Sequence, residues 1–344
     1  MTDDISTYKI DRITEFSDEV VNFVIQEVNQ NASLSRLNWE YRTKQYPLLF
    51  FVLNDQEDRI SGTQALIPIQ GCYKGQLIET GKSECTFVGK QYRGTRAFKD
   101  LYEAFLKASD EQGLKLVWGL TSAVKIWKEK LAFDFAEMII FHFDLPNSGD
   151  YIQWKGLSWL KHWRTKLTVK RSLRQLPLGD WTMTPIHQIT PELVQWRAQV
   201  LEAMQTTFYI GTNEDYYKWR LQENPYHDYG IWKFMSGVVM KGLLITSKAN
   251  GRVWIHEWIV QEEEDAVFQF NLIRRNLARY NDRIGYLGNR THPMNQIIEK
   301  VFIDNKGTIN VSDWAGLVAK SNIGSVDALD LKDALINLLW TEGV

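Results

Sequence analysis

The order of helix and strand signals in this chain occurs twice, at an offset of roughly 170–180 residues, and that repeat restricts the fold most strongly. In the first half, Ala97–Gln112 carries apolar residues at helical spacing, followed by a short apolar run and a second helical pattern. The same helix–strand–helix order follows residue 265. Tyr41-Arg42 and Trp219-Arg220 each lie at the same interval before a proline. A repeat of this length indicates two duplicated domains rather than a solenoid.

Each half predicts a few strands joined to a strand–helix–strand unit. In the first half, the predicted strands and helices lie at 49–53, 60–69, 77–88, 97–112, 114–119 and 122–131. Antiparallel strands followed by a βαβ unit form a mixed sheet with helices on both faces. The predicted fold class is therefore α/β with a mixed sheet, in one domain over residues 1–150 and a second over 181–344.

Residues 151–180 are predicted to be a basic linker between these domains. Lysines and arginines recur from Lys155 to Arg174, with Trp159 and Trp163 between them. A solvated, partly helical connection is the simpler interpretation, and a site for an anionic partner is the alternative.

Composition excludes several functional classes. The formal net charge of −2 gives no general attraction to nucleic acid or to a membrane surface. The two cysteines, Cys72 and Cys85, are too few for a disulfide framework and lack metal-ligand spacing. The polar first ten residues contain no signal-peptide core, and no segment approaches the ~20 apolar residues of a membrane span. We expect a cytoplasmic protein without a metal site; its oligomeric state is not readable from the sequence.

The segment from Val88 to Phe98 carries the clearest chemistry. It lies between a strand and the amphipathic helix, and contains Arg93, Gly94 and Arg96. A glycine-containing turn at a helix N-terminus exposes backbone N–H groups, and the helix dipole adds attraction for an anion. A pyrophosphate is the natural ligand, and a plain solvated loop is the alternative.

The surroundings of this loop resemble the acyl-CoA motif of the GNAT (N-acetyltransferase) superfamily. The resemblance rests on Phe87-Val88, then Tyr92-Arg93-Gly94, the long helix, and a second helix that ends in Leu131-Ala132-Phe133, similar to the Leu-Gly-Phe ending of the family. It covers about residues 17–145. The long form also resembles bacterial two-domain proteins with tandem GNAT-like folds.

The resemblance implies a site and a reaction. Acyl-CoA would lie between two strands that splay apart, and an amine would attack its thioester directly in a ternary complex. Phe87 and Val88 would supply the strand contact for acetyl-CoA. The phosphate-binding residues would be Arg93, Gly94, Thr95, Arg96, Ala97 and Phe98.

Some positions depart from the family pattern. Arg96 and Phe98 stand where the loop usually has small residues, and Ala132 stands where the helix usually ends in glycine. The tyrosine that often serves as general acid would fall near Trp127-Lys128, so another group or water must serve, or this copy is inactive.

Glu84 is the candidate general base. It precedes Val88 by four residues on the strand that leads into the loop, which predicts a shared face with Val88 and Thr86. Glu79 is the second candidate, and surface carboxylates are the alternative for both. Cys85 alternates with Glu84 and is predicted to face the core.

The second copy lacks the loop. Gln261 to Asp265 contains four carboxylates where the first copy has its arginines and glycine, and these would repel a pyrophosphate. His256, on the preceding strand, is interpreted as a buried, hydrogen-bonded histidine, with a catalytic role as the alternative. We expect the second copy not to bind CoA in the usual way.

Three functions fit the sequence. The first is N-acyl transfer from acetyl-CoA to a small-molecule primary amine, such as an amino sugar. The second is a catalytically degenerate GNAT-fold binding protein. The third is an aminoacyl-tRNA-dependent transferase of the tandem-GNAT type, against which the lack of positive charge argues.

Overall fold

The computed structural model describes residues 7–42, 46–144, 179–249, 252–277, 283–305, 308–321, 331 and 333–335. The chain divides into two compact units: unit 1 (Met1–Ala136 and Gly316–Leu331) and unit 2 (Glu137–Ala315 and Lys332–Val344). Nearly all of the predicted linker over 151–180 lies outside the described residues, so the division into 1–150 and 181–344 stays a prediction.

Unit 1 is built on a mixed sheet. Its strands are β1 Lys9–Ile13, β2 Leu49–Asn54, β3 Ile60–Tyr73, β4 Gln76–Val88 and β5 Leu116–Thr121. They lie in chain order, antiparallel except for the parallel pair β4–β5. The sheet continues with Gly316–Ser321 of β13 (Thr308–Ser321), antiparallel to β5.

The helices of unit 1 cover both faces of the sheet. They are α1 Asp18–Phe23, extended by a π-helical turn Val24–Val28, then α2 Leu34–Tyr41, α3 Ala97–Glu111 and α4 Val124–Leu131. Side chains alternate along a strand, so neighbours on β2 face opposite helices. Phe50 contacts Phe16 and Tyr41 on the α1–α2 side, whereas Phe51 contacts Phe105 of α3.

Unit 2 repeats this plan. Its strands are β6 Asp134–Asp144 (from Glu137 onward), β7 Trp181–Ile186, β8 Phe208–Ile210, β9 Tyr229–Ser236, β10 Val239–Ala249, β11 Arg252–Val260, β12 Arg283–Asn289 and β14 Ala334–Leu335. The helices are α5 Pro191–Ala203, α6 Glu214–Tyr217 with a π-helical turn Lys218–Gln222, α7 Glu263–Asn276 and α8 Pro293–Asp304. The main sheet has the order β7-β9-β10-β11-β12-β6, with β11–β12 parallel.

The two units exchange their last strands. β6 follows α4 in sequence, yet its residues from Met138 onward pair with β12 in unit 2. β13 follows α8, yet its end pairs with β5 in unit 1. Each unit therefore completes its sheet with a segment from the other half of the chain.

The sequence predicts helix starts at Ser17 and at Thr190-Pro191. Ser17 accepts a hydrogen bond from the N–H of Val20 and caps α1, and Thr190 with Pro191 starts α5. The Asn250-Gly251 pair predicts a hairpin turn before the strand that follows, and these two residues lie outside the described ones. Among the helices that the structure describes, none has both the length and the apolar character needed to cross a membrane.

Candidate active site

A cleft opens between β4 and β5 of unit 1. Their parallel pairing covers Thr80–Lys82 of β4 and Leu116–Trp118 of β5 and ends there. Just after the last pair the two strands are still close together. A Cβ added to Gly119 of β5 would lie only 3.2 Å from the carbonyl oxygen of Ser83 in β4. Beyond it, β4 keeps its pairing with β3 and β5 keeps its pairing with β13, so the two strands separate.

A β-bulge interrupts β4 beside this cleft. Thr63 pairs with Phe87 and Ala65 pairs with Glu84, so two residues of β4, Cys85 and Thr86, oppose one residue of β3. Cys85 takes a left-handed φ of 53°, which costs energy for any residue with a side chain. Such bulges re-aim side chains and often lie next to active sites.

The bulge changes which residues share a face. Ser83 and Thr86 both connect to Gln64 on the α3 side of the sheet, at 2.8 and 2.6 Å. Glu84 alternates with Ser83 and therefore faces the α1–α2 side, where it forms an ion pair with Lys82. The predicted shared face of Glu84 with Thr86 and Val88 is wrong, because the extra residue shifts the alternation between them.

The candidate base Glu84 lies at the edge of the cleft. Its side chain is 24% exposed, whereas that of Lys82 is 3% exposed. A carboxylate in this position can accept a proton from a group that enters from the α1–α2 side. Glu79, the second candidate, lies before the cleft opens and is held by the Tyr46 hydroxyl at 2.6 Å and by Gln70 at 3.2 Å.

Cys85 is buried, as predicted. Burial, with further contributions from nearby Glu84 and Glu40, raises the pKa of its thiol to about 12. The thiol is therefore protonated near neutral pH and is a poor nucleophile.

A buried polar network lines the α3 side of the cleft, and the sequence did not reveal it. The hydroxyl of Tyr102 lies 2.6 Å from Ser83 Oγ, which accepts from Gln64 Nε2. The other end of Gln64, Oε1, accepts from the Thr86 hydroxyl. Desolvation raises the pKa of Tyr102 far above its usual range, so its hydroxyl stays protonated. Two sequence signals could have indicated this network: the alternation of side chains along β4, which points Ser83 toward α3, and the position of Tyr102 on the apolar face of α3.

The predicted phosphate loop leads from β4 into α3. A short 3₁₀ turn, Lys90–Tyr92, follows the strand, and Gly94 takes a left-handed φ of 84° with no atom near its missing Cβ. Thr95 accepts a hydrogen bond from the N–H of Ala97 at 3.2 Å. Arg96, at the N-cap of α3, makes no side-chain cap bond. The helix thus begins at an exposed, glycine-containing turn.

The two arginines of this loop differ in placement. Arg93 folds back on β4, where its Nε donates to the Val88 carbonyl at 3.1 Å and its guanidinium lies 5.8 Å from the Phe87 ring centroid. Arg96 is 76% exposed and pairs with Asp100 at 3.3 Å along the helix. Arg96 thus lies at the N-terminal end of α3, where the helix dipole also favours an anion, whereas Arg93 lies against β4.

The remaining two loop positions are structural. Ala97 is fully buried, and Phe98 packs partly against the core formed by α3, α4 and the sheet. Phe98 also contacts Tyr102, with ring centroids 5.3 Å apart. Its side chain therefore does not fill the turn that precedes the helix.

Helix α4 offers an aromatic ring in place of the expected tyrosine. Trp127 is buried against Tyr102 and Phe133, at 5.0 and 4.7 Å between ring centroids. Lys128 lies over the Phe135 ring. Ala132 ends the helix in a left-handed conformation, at the position where glycine would be free of strain.

Unit 2 has a similar cleft with different chemistry. The pairing of β11 with β12 ends at Ile255 and Tyr286, and His256 forms a bulge opposite β10. His256 lies 2.6 Å from Ser247 Oγ through its Nε2. It is a buried, hydrogen-bonded histidine, which the sequence favoured.

The residue after this bulge, Glu257, is fully enclosed. Arg197 donates to its Oε1 from Nε and from the terminal guanidinium nitrogen, at 3.0 and 2.7 Å, and the Tyr217 hydroxyl donates to Oε2 at 3.0 Å. The side chains of Arg197 and Glu257 are each 2% exposed. This arrangement holds the bulge through an internal ion pair.

In unit 2 the connection from β11 to the next helix is too short to form a phosphate loop. α7 begins at Glu263, almost directly after β11 ends at Val260, and its first turn holds Glu263, Glu264 and Asp265. Glu263 and Asp265 pair with Lys300 and Lys241, respectively. Within the described ranges, no group of three acidic, histidine or cysteine side chains could hold a metal ion.

No family model and no curated protein matches the sequence. Solved structures do match. A GCN5-related N-acetyltransferase from Anabaena variabilis is 13% identical with a TM-score of 0.61, and the alignment covers 92% of this chain and 73% of that one. A probable N-acyltransferase from Enterococcus faecalis is 10% identical with a TM-score of 0.62, covering 92% and 72%.

A third solved structure is an N-myristoyltransferase from Saccharomyces cerevisiae with bound myristoyl-CoA. It is 10% identical with a TM-score of 0.57, and the alignment covers 94% of this chain and 86% of that one. The chain therefore has the fold of the GCN5-related N-acetyltransferases, the GNAT fold. This confirms the fold class predicted from the sequence.

Proposed function

We propose that this chain transfers an acyl group, in the simplest case acetyl, from CoA to the primary amine of a small molecule such as an amino sugar. The observation that carries the proposal is the cleft between β4 and β5, bordered by the bulge and followed by the loop into α3. Unit 1 therefore combines a gap for an extended thioester with an anion site at its open end.

In this proposal the pyrophosphate of CoA lies on the turn at 89–96. The left-handed Gly94 opens the turn, and Arg93 and Arg96 supply positive charge at the N-terminus of α3. Arg93 would exchange its contact with the Val88 carbonyl for a contact with phosphate.

The reaction would proceed by direct attack. The amine nitrogen forms a bond with the thioester carbon, the C–S bond breaks, and the thiolate of CoA leaves. Glu84 takes the proton from the attacking amine, and water or another donor protonates the thiolate. The distorted backbone at the bulge turns peptide groups of β4 out of the ladder, where an N–H can polarise the thioester carbonyl.

Unit 2 would not bind CoA in the same way. Its helix α7 starts without a loop and carries carboxylates at its N-terminus, which repel phosphate. Its role would be to stabilise unit 1, with which it exchanges a strand, or to shape the acceptor site.

A binding protein without catalytic activity is the second candidate. Glu84 already has a partner in Lys82, and Trp127 occupies the helix that would carry a tyrosine acid. These observations favour a chain that binds acyl-CoA but turns it over slowly or not at all.

Calorimetric titration with acetyl-CoA tests the proposal. We expect saturable micromolar binding to the wild-type chain and a loss of at least tenfold in the Arg93→Ala, Arg96→Ala variant, because two cations leave the phosphate site. The matched control is Lys99→Ala, Lys107→Ala, which removes two exposed cations farther along α3. If acetyl-CoA does not bind at concentrations up to the millimolar range, the proposal is wrong.

Turnover distinguishes the two candidates. A screen of small primary amines with acetyl-CoA should release free CoA for at least one amine, and Glu84→Gln should reduce that rate by a factor of 10²–10⁴, the usual contribution of a general base. Binding of acetyl-CoA without release of CoA across the screen would favour the binding protein.

A further inference from the structure

The closed end of the cleft in unit 1 is polar on both of its sides. The strands separate just beyond Lys82 and Trp118, where a Cβ added to Gly119 would still lie 3.2 Å from the Ser83 carbonyl oxygen. Charged and hydrogen-bonding side chains stand on both sides of this point, next to the rings and aliphatic groups of the core, such as Trp127 and Leu66. The side chains at this end of the cleft therefore affect which acyl groups can bind there.

On the α1–α2 side, the closed end holds an ion pair. The Lys82 ammonium is buried and contacts the Glu84 carboxylate two residues along the same strand. Neighbouring α2 contributes two more buried charged side chains, Arg36 and Glu40. Charges removed from bulk water are stable only when partners surround them, and apolar groups cannot serve as such partners.

On the α3 side, the closed end holds the network of Tyr102, Ser83 and Gln64. All three side chains are buried, and their hydrogen bonds of 2.6 and 2.8 Å connect α3, β4 and β3. An apolar chain wedged between Ser83 and Gly119 would have to break these bonds without replacing them.

The direction of the bound thioester follows from the two ends of the cleft. Under the proposed function, on which this inference rests, the phosphates lie on the turn at 89–96. Residues 82–88 then offer ~20 Å of strand, at about 3.3 Å per residue, along which the ligand extends toward the closed end. The acyl group therefore approaches Glu84, Ser83 and Lys82.

We propose that these side chains limit the acyl group to a short chain, acetyl to butyryl. Lys82, Glu84 and Ser83 act as specificity-determining residues, because their charges and hydrogen bonds give no favourable surroundings to further methylenes. In an apolar pocket, each added methylene would raise affinity by roughly fourfold. The chain thus differs in acyl selectivity from its structural neighbour that binds myristoyl-CoA.

A chain-length series tests this selectivity. The wild-type protein is titrated by calorimetry with CoA, acetyl-CoA, butyryl-CoA, octanoyl-CoA and decanoyl-CoA. We expect similar affinity for CoA, acetyl-CoA and butyryl-CoA, and at least tenfold weaker binding of octanoyl-CoA and decanoyl-CoA. Affinity that increases from butyryl to decanoyl would overturn the inference and leave the proposed function intact. Failure of CoA itself and of every thioester to bind would overturn both.

A double variant tests the ion pair directly. Lys82→Met with Glu84→Leu replaces both charges with apolar side chains of similar size, a change that buried ion pairs often tolerate. We expect the ratio of octanoyl-CoA affinity to acetyl-CoA affinity to increase about tenfold relative to wild type. Binding is the readout, because Glu84 is also the proposed base.

The matched control is Lys241→Met with Asp265→Leu, which removes another lysine–carboxylate ion pair, this one from unit 2. It should leave the whole series unchanged. A folded Lys82→Met, Glu84→Leu variant that still rejects octanoyl-CoA would overturn the assignment. If circular dichroism shows that this variant does not fold, the wild-type series decides.

Discussion

The two units use the same backbone device with different side chains. In each, a parallel strand pair separates after its first few residues, and the strand that leads into the following helix bulges beside the opening. In unit 1, residues 89–96 form a turn before α3, whereas in unit 2 only residues 261–262 precede α7. The gap between strands is therefore a property of the repeated fold, and the turn that carries the proposed anion site is a property of one copy.

The carboxylates beside the two bulges show the same contrast. The Glu257 side chain accepts hydrogen bonds from Arg197 and Tyr217 and is only 2% exposed, so it is closed off from solvent. Glu84 has one ion-pair partner and remains 24% exposed. One carboxylate is suited to holding structure, and the other can meet a ligand.

The largest expected loss of stability comes from removing the enclosed carboxylate of unit 2. Glu257→Ala leaves the buried guanidinium of Arg197 without its counter-charge, which should reduce the free energy of unfolding by about 3–5 kcal/mol. Glu84→Gln should cost less, because the glutamine side-chain carbonyl can still accept a hydrogen bond from the buried Lys82 ammonium and water reaches the partly exposed Glu84 position. Urea unfolding followed by circular dichroism measures both, and equal losses would contradict the contrast between the two carboxylates.

The next effect concerns pH. All six histidines lie within the range of unit 2, and burial lowers the pKa of His292 to about 4. The unfolded chain binds this proton below about pH 6.5, whereas the folded chain resists it down to about pH 4. The contribution of neutral His292 is thus complete above pH 6.5 and is lost as the pH falls, by ~3 kcal/mol at pH 4.

His292→Asn tests the origin of that acid sensitivity. Asparagine can keep the cap bond that Nδ1 of His292 accepts from the N–H of Met294, and it does not titrate. The variant should lose stability less steeply than wild type between pH 7 and pH 4. His187→Gln, at an exposed site, should follow the wild-type curve; a variant at position 292 that also follows it would refute the assignment.

The smallest expected effects come from alanine at two glycines, one in the turn before α3 and one in the turn after it. Gly94 and Gly113 flank α3, and both have a left-handed φ with open space at the missing Cβ. Alanine at either position should cost ~1 kcal/mol of stability through backbone strain. Gly94→Ala should also weaken acetyl-CoA binding severalfold, whereas Gly113→Ala should not. Equal affinities in the two variants would remove the turn from the proposed site.

Elements with strong periodic signals were predicted well. α3 was expected over 97–112 and lies at Ala97–Glu111, and β2 was expected over 49–53 and lies at Leu49–Asn54. The short edge strands β1 and β7 were missed, because their alternating polar residues give little hydrophobic signal. β13 was missed as well, and its pairing with β5 is a long-range contact that no local pattern encodes.

The candidate site was only partly predictable. The loop at 89–96 stood out, because a glycine and two arginines before an amphipathic helix have a local meaning. The face of Glu84 was predicted wrongly, because strict alternation holds only without a bulge, and the bulge arises where β3 and β4 pair over a long register. Lys82 carried no signal of its own.

The repeated mixed sheet, two helix starts and the basic turn of the first copy were predictable from the sequence, because periodicity, caps and glycine act over a few residues. Tertiary structure alone decided where β4 and β5 part, which residue bulges, and which carboxylate is enclosed. Those outcomes depend on contacts between residues far apart in the chain, such as Arg197 with Glu257 and Ser83 with Tyr102. Only the folded chain brings such groups within hydrogen-bond distance.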